Sequence, residues 1–136
     1  MKKNVLVFPC GSEIGLEIYR ALSKTKEVIL YGASSVNDHG EFVYEKYIAG
    51  IPFATEDRFI YEINRIVDEY SIDYIIPAND LVLLTLAEAL YYGKLRCKLL
   101  TSPYDTCKTC CSKKLTYQKF QHRLPVPILY ETLNDV

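Results

Sequence analysis

Four short stretches place chemistry-bearing residues at meaningful spacings. Gly11-x-x-x-Gly15 follows an apolar run ending at Phe8, where an α/β fold keeps its phosphate-binding turn. Pro77-Ala78-Asn79-Asp80 puts an amide and a carboxyl at the end of another apolar run. Either side chain can cap a helix and either can face a ligand, so both roles stay open. Cys107-x-x-Cys110-Cys111 has the outline of a metal or redox motif. Ser112-Lys113-x-x-Thr116 sets a basic residue just inside a capped helix, and Leu124-Pro125-Val126-Pro127 follows it closely.

Each stretch has a plainer role to weigh. A dinucleotide turn requires G-x-G-x-x-G and an acidic residue at the end of the second strand. Here Pro9 breaks the first requirement, and the second strand ends in Tyr31-Gly32-Ala33-Ser34. Glu13, in the first helical turn, would repel a pyrophosphate at that helix start. A tight turn with close helix–strand packing explains the glycine pair at least as well as ligand contact. For the cysteines, a zinc site normally needs four ligands, and no second CxxC or His pair accompanies them. Their i, i+3, i+4 spacing is a helix's buried stripe, and free cysteine packs as a small hydrophobe. Core packing is therefore the expected role, with thiol redox at Cys107 and Cys110 the weaker option. No metal ligand and no catalytic residue is assigned.

The elements that position these residues alternate along the chain. Residues 5–8, 28–31, 47–53, 73–77 and 97–101 read as strands. Between them, Ile14, Ile18, Ala21 and Leu22 form one helical stripe. Phe59, Ile63, Ile66, Val67 and Tyr70 form a second, and Leu83, Leu86, Ala87 and Leu90 a third. Thr55 reads as the N-cap of the helix carrying the second stripe, and Ser102 as that of a Pro103-headed helix carrying the cysteines. Residues 32–40 read as a polar loop. Continuing the cysteine helix unbroken would place Lys114 in its stripe, so a break is expected before it, with Ser112 capping a new helix. In that helix Lys113, Thr116, Tyr117 and Phe120 share the packed face. The order implies an α/β fold, a three-layer domain with a parallel sheet of about four to five strands and helices on both faces. Ligands in such sheets bind beyond the carboxyl ends of the strands, here residues 9–12, 32–35 and 78–80.

Composition agrees with one globular domain. The 136 residues are 49% hydrophobic and 24% charged, ordinary for a packed core. A net charge of -1 argues against a nucleic-acid or anionic-membrane partner. The most apolar stretch, residues 74–92, is interrupted by Pro77, Asn79, Asp80 and Glu88, too polar for a spanning helix. Five cysteines and no signal segment fit reduced thiols, so a cytoplasmic protein is expected.

Taken in order, the glycine turn, the Pro77-Ala78-Asn79-Asp80 turn, the Ser102-Pro103 helix, the Ser112-Lys113-x-x-Thr116 helix and the Pro125-Val126-Pro127 exit resemble the N-terminal, pre-ATP-grasp domain of the ATP-grasp superfamily. That superfamily holds the carbamoyl-phosphate synthase large subunit, biotin carboxylase and D-alanine ligase. The resemblance covers nearly the whole chain. It departs at Ser112, where many members carry aspartate, and in the loop 32–44.

The resemblance implies a Rossmann-like domain over residues 1–111. A hinge helix and extended exit over 112–136 would lead towards an ATP-grasp domain. It further implies the substrate side of an ATP-dependent carboxylate–amine (or thiol) ligase acting through an acyl-phosphate. A small-molecule carboxylate and a nucleophile would be its substrates, and ATP and Mg would bind only to a full-length protein. Gly11, Ser12, Asn79 and Asp80 are the implied substrate-binding residues, and Lys113 the implied nucleotide-binding residue, reaching phosphates from across the hinge. Residues 128–136 read as the start of a strand with an acidic end. No glycine-rich loop or magnesium ligands are read after Pro127, so a truncated piece without catalysis of its own is expected. The alternative, from a different class, is a free-standing Rossmann-like module for NADP or another nucleotide. Oligomeric state stays open, a homodimer included.

Overall fold

The architecture follows from alternation along β1 (Lys3–Phe8). Leu6 and Phe8 enter one buried cluster and Val7 another, so the strand is covered on both faces, as a central parallel strand must be. The computed structural model describes residues 2–128. β2 (Val28–Ala33) and β3 (Tyr47–Ile48) lie to one side of β1, and β4 (Tyr74–Pro77) and β5 (Lys98–Leu99) to the other. The order is β3-β2-β1-β4-β5, with every pair parallel. This is the three-layer Rossmann-like α/β fold that strand–helix alternation predicts. The strand start read at 128–136 lies outside the described residues from 129 onward.

Six helices are described: α1 (Glu13–Leu22), α2 (Gly40–Val43), α3 (Phe59–Glu69), α4 (Asp80–Tyr91), α5 (Tyr104–Cys110) and α6 (Lys113–Phe120). The larger cluster joins Leu6, Phe8 and Ile75 of the sheet to α3 and α4 through Phe59, Ile63, Ile66 and Leu86. Phe8 and Phe59 meet with ring centroids 5.6 Å apart. Each such fully buried side chain contributes roughly 1.5–3 kcal/mol. On the opposite face, Val7 and Cys10 pack with Tyr44 and with Ile18 and Tyr19 of α1. No helix among the described residues is long and apolar enough to cross a membrane.

Several local expectations are corrected. Gly15, not Ile14, is the buried position of α1, and Ile14 is exposed. A Cβ at Gly15 would lie 2.7 Å from the Pro9 carbonyl oxygen and closer still to that of Cys10. The helix therefore turns its bare backbone to the sheet, and Ala21 falls outside. Leu90 of α4 is also exposed, and Val82 and Ala89 take buried places instead. Thr55 does not cap α3. A turn intervenes in which the Glu56 side chain accepts from the Phe53 N–H, and the helix starts at Phe59. Ser102 does not cap α5, because Pro103, with extended ψ, takes the cap position and its carbonyl accepts from Thr106 and Cys107. Residues 52 and 53 lie outside β3, Gly32 and Ala33 belong to β2, and the expected polar loop includes the start of α2. The break before Lys114 occurs where expected, with the Ser112 hydroxyl accepting from the Leu115 N–H.

Candidate functional site

The strand order reverses direction at β1 and β4, where ligands of open α/β sheets bind. A cleft of about 370 Å³ opens there, beyond the carboxyl ends of β1, β2 and β4. Gly11, Ser12 and Asn79 line it, as the sequence predicts. Its walls are apolar: Val36, Phe53 and Leu81 line it and are 55%, 56% and 51% exposed. Three large hydrophobic side chains around this cleft are thus left to solvent.

Asp38 also lines the cleft. The connection after β2 folds back so that the Asp38 carboxylate rests on the bare Cα of Gly11, where any Cβ would overlap it. One carboxylate oxygen accepts from Ser34 Oγ at 2.6 Å, the other from the Gly40 N–H at 2.9 Å. Ser34 is fully buried, and its hydroxyl lies 3.4 Å from Cys10 Sγ. Burial, reinforced by the Asp38 charge and opposed by the Ser34 hydrogen bond, pushes the Cys10 thiol up to about 11. Cys10 is therefore a packed thiol and not a nucleophile at neutral pH. Sequence reading missed Asp38, because its place depends on the fold of residues 34–40; the one available signal is its distance of 23 positions from Gly15, near the roughly 20-residue spacing of a ribose-binding acid.

The glycine turn and the start of α1 are largely used by the chain itself. The Ser12 hydroxyl donates to the Pro9 carbonyl at 2.9 Å, with the Ala78 carbonyl at 3.2 Å, and accepts from the Gly15 N–H at 3.0 Å. Asn79 serves as N-cap of α4, its Oδ1 accepting from Leu81 and Val82. Its amide nitrogen makes no hydrogen bond among the described residues. The sequence left capping open between Asn79 and Asp80; Asn79 takes it, and its free amide still borders the cleft.

The remaining predicted residues lie elsewhere. Asp80 borders a separate, smaller recess with Cys107, Cys110 and Cys111. Of these cysteines only Cys107 is buried, its thiol donating to the Ser102 carbonyl at 3.2 Å. Cys110 is exposed and Cys111 is the partly exposed cap of α5. The expected three-cysteine stripe is thus corrected, since a seven-residue helix turns only one of them inward. Among the described residues no cluster of three His, Cys, Asp or Glu could hold a metal ion. Lys113 is exposed at the first position of α6, whereas Thr116, Tyr117 and Phe120 of the expected face are half-buried.

No protein-family model and no curated protein matches the sequence. Among solved structures, the chain is similar to the dTDP-glucose 4,6-dehydratase of Bacillus anthracis strain Ames, crystallised in complex with NAD. The match has a TM-score of 0.50 and 12% identity, over 88% of this chain and 51% of that one. The chain spans about half the length of that enzyme, and the likeness is one of fold.

Proposed function

We propose that the chain is a Rossmann-like nucleotide-binding module whose ligand sits in the cleft beyond β1, β2 and β4. The observation that carries this reading is the amphipathic build of the cleft. Val36, Phe53 and Leu81 offer apolar walls for a flat heteroaromatic base. Asp38 lines the same cleft as an acceptor for vicinal hydroxyls, the role an acid plays for ribose in dinucleotide folds. The Asn79 amide is free to donate to a base edge or a hydroxyl. Support also comes from the shared fold of a dehydratase that carries NAD. Calorimetric titration with adenosine, NAD and ATP tests the reading. At least one should bind saturably, and Leu81→Ala, an exposed truncation, should weaken it by about fivefold to tenfold through lost apolar contact. No saturable heat with any of the three would reject it.

A second reading is supported by the far end of the chain. Ser112 starts α6 after a clean break, and α6 leaves Leu115 exposed and Tyr117 and Phe120 only half-buried. A helix with incompletely buried apolar residues and an exposed lysine at its start fits the hinge of an ATP-dependent carboxylate–amine ligase, with further domains closing on it. Lys113 would then contact nucleotide phosphates, and ATP and Mg would bind across the junction. The test is ATP hydrolysis dependent on a carboxylate by a product that continues past Val136. An extension without a glycine-rich loop and magnesium carboxylates would rule this reading out.

A further inference from the structure

The cleft also discriminates by charge. Among the described residues no Lys, Arg or His lines it, and Asp38 is the one charged side chain that does. Asp38 is partly buried and has no ion pair among the described residues. Its carboxylate lies on Gly11, at the spot where a Rossmann turn would bring its backbone against a pyrophosphate. The hydroxyl of Ser12 and the N–H of Gly15 are bonded to each other, so neither is free to hold an anion. Glu13 adds a second negative charge in the first turn of α1. The turn into α1, the usual anion seat, thus has the chain's own acids beside it, Asp38 against Gly11 and Glu13 in the first helical turn.

The geometry points to an uncharged ribonucleoside, not its phosphates, as the ligand of this cleft, with Asp38 as the specificity-determining residue. This rests on the nucleotide-binding reading and narrows it. The base lies between Val36, Phe53 and Leu81, and the ribose diol donates to Asp38 in charge-assisted hydrogen bonds. A 5′-phosphate or a 2′-phosphate brings like charges together in a partly water-excluded cleft, where repulsion is stronger than in bulk water.

The test is a calorimetric series of adenosine, AMP, ATP, NAD and NADP against the wild-type chain and Asp38→Asn. Adenosine should bind tightest to the wild type, with affinity falling by about tenfold or more at each added charge near Asp38. Raising salt from low to physiological strength should narrow that gap by screening, whereas a phosphate-binding site would lose affinity for ATP. Asp38→Asn should weaken adenosine by about tenfold and bring AMP level with it or ahead. The wild-type order and its salt response stand on their own should Asp38→Asn unfold, which circular dichroism would reveal. Phosphorylated ligands binding tighter than adenosine, with affinity falling as salt rises, would overturn the inference and leave nucleotide binding intact. No binding across the whole series would overturn both.

Discussion

Gly15 leaves no room for a side chain between α1 and the turn before it. Its bare Cα lets α1 press against the Pro9 and Cys10 carbonyls, and its own carbonyl accepts from Tyr44 Oη at 2.6 Å. Gly15→Ala should destabilise the chain by about 1–3 kcal/mol through overpacking, read as a lower urea midpoint. A glycine has no apolar side chain, so hydrophobic spacing passed over it and placed Ile14 inside. The thiols give a second expectation at this scale. Cys10 and Cys97 are each pushed by burial up to about 11, from about 8.5 for a free thiol. A raised acid favours the protonated folded state, so its contribution is complete below about pH 8.5 and is lost as pH climbs towards 11. Stability should fall over that window, and Cys10→Ala should show a shallower fall than the wild type. Under native conditions at pH 8, an aromatic disulfide reagent should label exposed Cys110 quickly and buried Cys10 only upon unfolding.

Among the elements, the start of α4 joins stability to binding through one side chain. Asn79 caps the helix with its oxygen and leaves its amide nitrogen at the cleft. Asn79→Ala should cost about 1 kcal/mol of stability and also weaken ligand binding. Asn79→Asp keeps the cap and removes the donor, so its unfolding midpoint should stay near wild type while nucleoside affinity drops. Equal stability loss in both variants would contradict the division of roles. The Pro-Ala-Asn-Asp turn was legible because a cap after a buried strand is a local signal. The caps assigned to Thr55 and Ser102 were not realised, since Phe59 starts its helix where it meets Phe8, and the extended Pro103 displaces Ser102 by one position. The connection from Ser34 to Gly40 was the least readable segment. It reads as polar loop, yet it carries the acid that its own hydrogen bonds aim at Gly11.

On the scale of the whole molecule, strand–helix alternation was enough to give a parallel sheet and the end of it beyond which the cleft opens. Gly11, Ser12 and Asn79, at those strand ends, line the cleft, and Asp80, expected beside them by sequence adjacency, borders the cysteine recess instead. The part of the lining made of Val36, Phe53 and Asp38 comes from connections whose course depends on tertiary packing and not on periodicity. The central claim is that this cleft holds a nucleoside. It is tested most directly by two-dimensional amide NMR of the labelled chain titrated with adenosine. Saturable shifts should concentrate at Gly11, Ser35, Val36, Asn79 and Leu81, with one dissociation constant fitting all of them. Shifts that fail to saturate, or that gather at α5 and α6 away from the cleft, would contradict it.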